Sequence, residues 1–234
     1  MTKPQANDKF YSSKRYKFFP GIAIVHMIDD PVLINQLKAI AQSMHASGCF
    51  SHYVFLPEKT YHMTVADLIT YKDLQTNGMF SDFPYKHETS LKAIDAYVKR
   101  VLGQSKFQLD VRMKPKKITS RKIVLTPASR DDERKLHDFR NKVYKTLHIE
   151  PDPRYQFHIS LTYRLHALND KDQAAMDVFL DSINARYLTL LPTVVVKTAE
   201  LVAFNDMADY RNIELGRHNL GVSEPESSEK HWLE

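Results

Sequence analysis

The sequence predicts an α+β protein: a bilobal, pseudo-duplicated fold with two antiparallel sheets flanked by helices around a central cleft. Three observations carry this prediction. Short β-branched runs and longer runs of helical period alternate along the chain instead of segregating. Two strand-like runs have the same unusual content. Tyr61-His62-Met63-Thr64-Val65 and Phe157-His158-Ile159-Ser160-Leu161 both read aromatic, histidine, apolar, hydroxyl, apolar. Each of these runs follows a helical pattern, so the halves repeat and not the motif alone.

The elements follow in order. Gly21–Ile28 is apolar and β-branched, which predicts a strand. Pro31 opens a run with apolar residues at Val32, Leu33, Leu37, Ile40 and Met44, a helical spacing that Gly48 ends. His52–Leu56 and Tyr61–Leu68 read as two strands around a turn at Pro57, and residues 67–86 show no period. Glu88–Leu102 has helical spacing, with Thr89 or Ser90 as its cap and Gly103 at its stop. Phe107–Met113 alternates, and Lys117–Thr126 follows as its partner strand, with Pro115 in the turn between them. Ser129–Leu147 is a helix: Ser129 caps it, Asp131 and Asp132 lie in the first turn, and Leu136, Phe139, Val143 and Leu147 form the stripe. Gln156–Leu165 is a strand, Asp170–Tyr187 a helix and Thr193–Phe204 a last long strand. One bilobal domain is expected over residues 10–216. The polar residues 1–9 and the charged residues 217–234, which contain the lone Trp232, are expected to be mobile ends.

Composition narrows the function classes. The chain has 234 residues, 43% hydrophobic and 26% charged, which is a globular balance. Cys49 is the one cysteine, which excludes an intramolecular disulfide framework and any multi-cysteine metal centre. None of the six glycines forms a G-x-G-x-x-G, so the usual dinucleotide fingerprint is absent. No H-E-x-x-H, G-x-S-x-G or EF-hand loop is present. Neither a cofactor nor a bound metal is therefore expected. The net charge of +5 and the pI near 9.1 suit an anionic substrate without identifying one. The first 20 residues hold no apolar stretch of signal-peptide length, and no window approaches 18 consecutive apolar residues. The expectation is a cytoplasmic monomer with no membrane contact and no obligate protein partner.

The chemistry lies in the histidines. With 11 of them, about one H-x-[ST] match arises by chance, and this chain has four. His45-Ala46-Ser47 ends a helix, and His87-Glu88-Thr89 precedes one, where Thr89 or Ser90 has capping work. The other two lie inside strand patterns, where residues i and i+2 share a face. His62 and Thr64 therefore point together, with Met63 and Val65 turned to the core. By the same parity His158, Ser160, Thr162 and Arg164 share one face, and Ile159, Leu161, Tyr163 and Leu165 the other. If the two halves meet, the polar faces line one groove with a histidine on each side. Tyr61 and Phe157 fall on the core side, and Tyr155 is expected to pack at the core or rim. Lys114, Lys116, Lys117, Arg121 and Lys122 read as a solvated hairpin end.

These residues resemble the two-histidine (2H) phosphoesterase superfamily. It includes bacterial RNA 2′,3′-cyclic phosphodiesterases, also called 2′-5′ RNA ligases, and plant ADP-ribose cyclic phosphodiesterases. The stretches FFPGIAIV, FLPEKTYHMTV and RYQFHISLTYRL are similar to an uncharacterised bacterial branch of it, over roughly residues 15–205. The resemblance implies His62 and His158 as an acid–base pair, with Thr64 and Ser160 as donors to phosphoryl oxygens. It also implies a nucleotide or RNA-end substrate and a metal-free reaction. The spacing of the two motifs is long for the superfamily, and residues 67–103 account for the excess. Imidazole suits the task because it holds either protonation state near neutrality. Arg164 has the parity to reach a phosphate and offers a fork of donors. The expected activity is a metal-independent phosphodiesterase opening 2′,3′-cyclic or 1″,2″-cyclic phosphates. The alternatives are a non-catalytic nucleotide- or RNA-binding module of the same fold, an RNA ligase or exonuclease, and a structural protein.

Overall fold

The computed structural model describes residues 9–12, 15–70 and 91–208. The polar ends as far as residue 8 and from residue 209, with His87, the Thr89/Ser90 cap and Trp232, lie outside these residues. Lys9, placed with the N-terminal end in the sequence reading, enters a small hairpin of β1 (Phe10–Ser12) and β2 (Arg15–Tyr16). The first half continues with β3 (Gly21–Met27), α1 (Pro31–Ala46), β4 (Tyr53–Phe55) and β5 (His62–Thr70). The second half holds α2 (Leu91–Leu102), β6 (Lys106–Ile118), β7 (Lys122–Pro127), α3 (Arg130–Leu147), β8 (His158–Ser160), β9 (Thr162–Arg164), α4 (Asp170–Tyr187) and β10 (Val194–Phe204).

Local chemistry explains the helix ends. The Asp30 carboxylate accepts from the amides of Val32 and Leu33, and Pro31 takes a first-turn position where its missing N–H costs nothing. Ser129 caps α3 by accepting from the Asp132 amide at 3.1 Å. Asp132 in turn accepts from the Arg112 amide at 2.9 Å, tying the start of α3 to β6. Leu33, Leu37, Ile40 and Met44 of α1 are buried, as their spacing predicts, whereas Val32 is exposed.

The α+β class with antiparallel sheets and flanking helices is as expected. Its strands run in the order β10-β3-β5-β8-β7-β6, every neighbour antiparallel. The half-sheets β10-β3-β5 and β6-β7-β8 join along both edges, at β5–β8 and β6–β10, and close into one barrel. Closure removes the unpaired edges that two separate sheets would expose. β4 and β9 pair in a small sheet of their own.

Three departures from the sequence reading matter for the site. Pro115 is not in a turn. β6 runs through it to Ile118, with a bulge between Pro115 and Lys117 where a missing N–H is tolerated. The turn falls at Thr119, whose hydroxyl accepts from the amides of Arg121 and Lys122. Second, the run 156–165 divides. The amides of Leu161 and Thr162 both donate to the Arg121 carbonyl, and the chain then leaves the barrel to pair with β4. Third, β5 carries bulges against β3, with Val65 and Leu68 as its extra residues. Each extra residue resets the alternation, so Val65 and Ala66 are both buried, as are Leu68 and Ile69. Gly21 is required where β3 meets its neighbours. A Cβ there would lie 2.4 Å from the Phe204 ring and 2.7 Å from the Ile69 carbonyl.

Candidate active site

β5 and β8 meet at one register pair, Met63 opposite Ile159, and both side chains are inaccessible to solvent. Alternation turns the flanking residues to the other face, where His62, Thr64, His158 and Ser160 are all half-buried. Antiparallel geometry about this pair sets Ser160 across from His62 and His158 across from Thr64. Directly opposed Cβ atoms in such pairs lie about 4.5–5.5 Å apart. The linear order of the motifs therefore becomes a square of imidazole, hydroxyl, imidazole and hydroxyl. The next strands extend it. Met27 pairs with His62 and Val25 with Thr64 on one side. Lys122 pairs with Ser160 and Val124 with His158 on the other.

The two imidazoles are held alike. His62 Nδ1 donates to the Thr60 carbonyl at 2.7 Å, and His158 Nδ1 donates to the Gln156 carbonyl at 2.6 Å. A carbonyl only accepts, so each bond places the neutral ring's proton on Nδ1 and leaves Nε2 as the basic nitrogen. Thr60 is itself fixed, its hydroxyl and amide both donating to the Pro57 carbonyl. Burial pushes the His62 pKa down to about 4; the Thr60 bond opposes this and the Lys9 charge adds to it. Burial also takes His158 down to about 4, opposed by the Gln156 bond and reinforced by the charges of Lys122, His62 and Lys9. Both rings are thus neutral at neutral pH, each with its lone pair on Nε2.

Residues 9–124 match the family model for 2H-phosphodiest, described as a domain of unknown function (DUF1868). This stretch is a 2H-phosphodiesterase-family domain. The 2H match takes in His62 and Thr64 and ends before His158 and Ser160. A conserved protein of unknown function from Agrobacterium tumefaciens shares the whole fold. Its TM-score is 0.77 at 17% identity, covering 91% of this chain and 93% of that one. A Thermus thermophilus protein aligns at 12% identity over 79% of this chain and 86% of its own, with a TM-score of 0.32 that supports no fold assignment. No functionally curated protein matches the chain.

Around His62 and His158 the structure gathers the residues that the sequence reading expected to line one groove. It brings together His62, Thr64, His158 and Ser160. It does not bring in Arg164, which is exposed on β9 opposite Tyr53. The parity argument fails after Ser160 because the chain shifts there. Thr162 is buried, its hydroxyl donating to the Ser120 carbonyl. Lys122 takes the place foreseen for a cation, on the strand beside Ser160. Lys9 adds a second positive charge felt by both imidazoles; its ammonium donates to the Tyr163 hydroxyl at 3.2 Å and lies over the Tyr163 and Phe19 rings.

Sequence reasoning also missed Arg140. Its guanidinium is buried, donates to the Val65 carbonyl at 2.6 Å and lies 4.1 Å from the centre of the Tyr155 ring. The available signal was its place in the α3 stripe, on the face of Leu136, Val143 and Leu147, where an arginine needs a buried partner. Among the described residues, no group of three or more His, Cys, Asp or Glu side chains is arranged to hold a metal ion, and no helix is long and apolar enough to cross a membrane.

Proposed function

We propose that this protein is a metal-independent phosphodiesterase that opens 2′,3′-cyclic or 1″,2″-cyclic phosphates of nucleotides or RNA ends by two-histidine acid–base catalysis. The observation that carries the reading is the matched pair of Nδ1–carbonyl bonds at His62 and His158, on neighbouring strands with a hydroxyl beside each ring. Two basic nitrogens held alike on one face are what a base and an acid on opposite sides of one phosphorus require.

In this mechanism one imidazole is neutral and takes a proton from water at Nε2 as the water oxygen attacks phosphorus. The other is protonated and gives its Nε2 proton to the leaving ribose oxygen as the P–O bond breaks. The product is an acyclic phosphomonoester, and the two rings exchange protonation states. A bound phosphate anion favours the protonated form of a nearby ring, so substrate itself raises the depressed pKa of the acid. Thr64 and Ser160 donate to phosphoryl oxygens, where one well-placed donor is worth about 3 kcal/mol of barrier. Lys122, beside Ser160, balances the anionic charge.

The test is turnover by purified protein in EDTA of 2′,3′-cyclic nucleotides, ADP-ribose 1″,2″-cyclic phosphate and a short RNA with a cyclic end. His62→Ala and His158→Ala run in parallel. The proposal expects turnover in EDTA that each substitution lowers by at least about 100-fold. Turnover abolished by EDTA refutes the metal-free mechanism. Binding of these compounds without turnover replaces the enzyme with a binding module of the same fold.

A further inference from the structure

The strand pairing that unites the two motifs is short. β5 and β8 share the single register pair Met63–Ile159, although four side chains on their common face must be held in one arrangement. Immediately after Thr64, β5 is also disturbed by the Val65 bulge. Two side chains from the second half compensate. The Tyr155 hydroxyl donates to the Thr64 carbonyl at 2.9 Å. Arg140 donates to the Val65 carbonyl at 2.6 Å. They also hold each other, the guanidinium lying 4.1 Å above the Tyr155 ring and 5.4 Å from the Phe157 ring. The assembly reaches both histidines' supports. Tyr155 and Phe157 flank Gln156, whose carbonyl orients His158, and the Tyr155 and His158 rings lie 6.4 Å apart. The Phe157 carbonyl accepts from the Leu125 amide, anchoring the same segment to β7. On the far side Tyr144 donates to Asp67 at 2.8 Å, and Asp67 lies 3.9 Å from the Arg140 guanidinium.

We propose that Arg140 and Tyr155 are positioning residues for the two-histidine site: by grasping consecutive carbonyls of β5 and packing beneath the His158 support, they set the separation of Thr64 from His158. Neither touches the reacting atoms in this scheme. A buried arginine is costly in a helix stripe, and its bonds here go to the bulge that follows the first motif and to the ring that precedes the second. A merely structural arginine would leave the site's chemistry unchanged when replaced by a side chain that preserves the fold.

The inference rests on the phosphodiesterase reading above, and its test separates the two. Tyr155→Phe removes one hydroxyl and keeps the packing; Arg140→Lys keeps a donor, and Arg140→Met removes it. Each variant is assayed on a 2′,3′-cyclic nucleotide, and the His62 and His158 imidazoles are titrated by NMR, a readout that needs no turnover. The expected result is a fall in kcat of about 10–100-fold for Tyr155→Phe with KM changed less than about threefold, because the reacting groups are misplaced and not lost. Arg140→Lys retains more kcat than Arg140→Met. In Tyr155→Phe the His158 titration moves up toward the ordinary histidine value as the site loosens. If wild type is active and Tyr155→Phe keeps its kcat, the positioning role is refuted. If wild type is inactive on all three cyclic phosphates of the panel above, the phosphodiesterase reading fails, and the titration alone decides: an unmoved His158 midpoint refutes the positioning role, and a raised one supports it.

Discussion

Met63 and Ile159 face each other across β5 and β8, and through this one contact a core pair sets the distance between two histidine motifs. The same alternation that buries them exposes His62, Thr64, His158 and Ser160 to the opposite side. Core packing and site geometry are therefore two faces of one strand pair. Shortening Ile159 to Ala removes buried carbons where neighbours have little room to collapse. Such changes cost about 2–5 kcal/mol, whereas Ile159→Val costs about 0.5–1.5 kcal/mol. Urea unfolding of both variants checks this. An Ile159→Ala protein as stable as wild type would show that the pair does not hold the seam.

The depressed imidazole pKa values set a direction for catalysis. Burial brings both rings to titrate near 4, with the charges of nearby lysines reinforcing it. The proposed reaction needs one ring protonated and one neutral. Above both values that form declines about tenfold for each pH unit. The ratio kcat/KM, which reports the free enzyme, is therefore expected to fall as pH rises from about 5 to 7. The optimum of kcat lies at higher pH, because the bound anion raises the ring that serves as acid. A kcat/KM that rises over the same interval would contradict the scheme.

The same shift has a signature in stability. The folded pKa of about 4 lies below the ordinary value of 6.5 that an unfolded histidine regains. Above 6.5 both states are neutral and pH has no effect through these groups. As pH falls from 6.5 to 4 the unfolded chain binds protons that the folded chain refuses, so stability declines. Allowing for partial exposure, each ring contributes about 1–2 kcal/mol of this loss. Denaturation of wild type, His62→Gln and His158→Gln at pH 7 and pH 4.5 checks it. Each substitution should narrow the gap between the two conditions, and equal gaps in all three proteins would refute the linkage.

The elements of this fold were legible where one residue chooses the local structure. Asp30 with Pro31 and Ser129 with Asp132 start helices that the sequence already marks. The paired motifs were legible because alternation holds over His62–Thr64 and His158–Ser160, the three-residue stretches on either side of the core pair. What the sequence hid was each place where the period is reset. The Val65 bulge and the exit of the chain after Ser160 have no residue code, since both arise from pairing with distant strands. The parity that set Arg164 on the face of Ser160 was counted across such a break. Barrel closure is likewise a property of edges meeting far apart in the chain, at β6–β10 and β5–β8, and no local pattern records it.

Lys122 illustrates how a residue read as part of a solvated turn becomes part of a site. The Thr119 hydroxyl closes the turn one step before it, so Lys122 is the first residue of β7 and not the last of the loop. Asn184 holds the other side of this hairpin, accepting from the Ile118 amide and donating to its carbonyl, both at 2.8 Å. Strand pairing then sets Lys122 opposite Ser160, on the face of the histidines. On the proposed phosphodiesterase reading, a cation there binds the substrate phosphate equally in ground state and transition state. Lys122→Met is therefore expected to raise KM about tenfold with a smaller change in kcat, and Lys122→Arg to restore part of the loss. It should also weaken the salt dependence of KM, because one fewer charge attracts the anion. Steady-state kinetics at low and high salt checks both parts. A loss confined to kcat would move Lys122 from substrate binding to charge stabilisation in the transition state, and no change in either constant would remove it from the site.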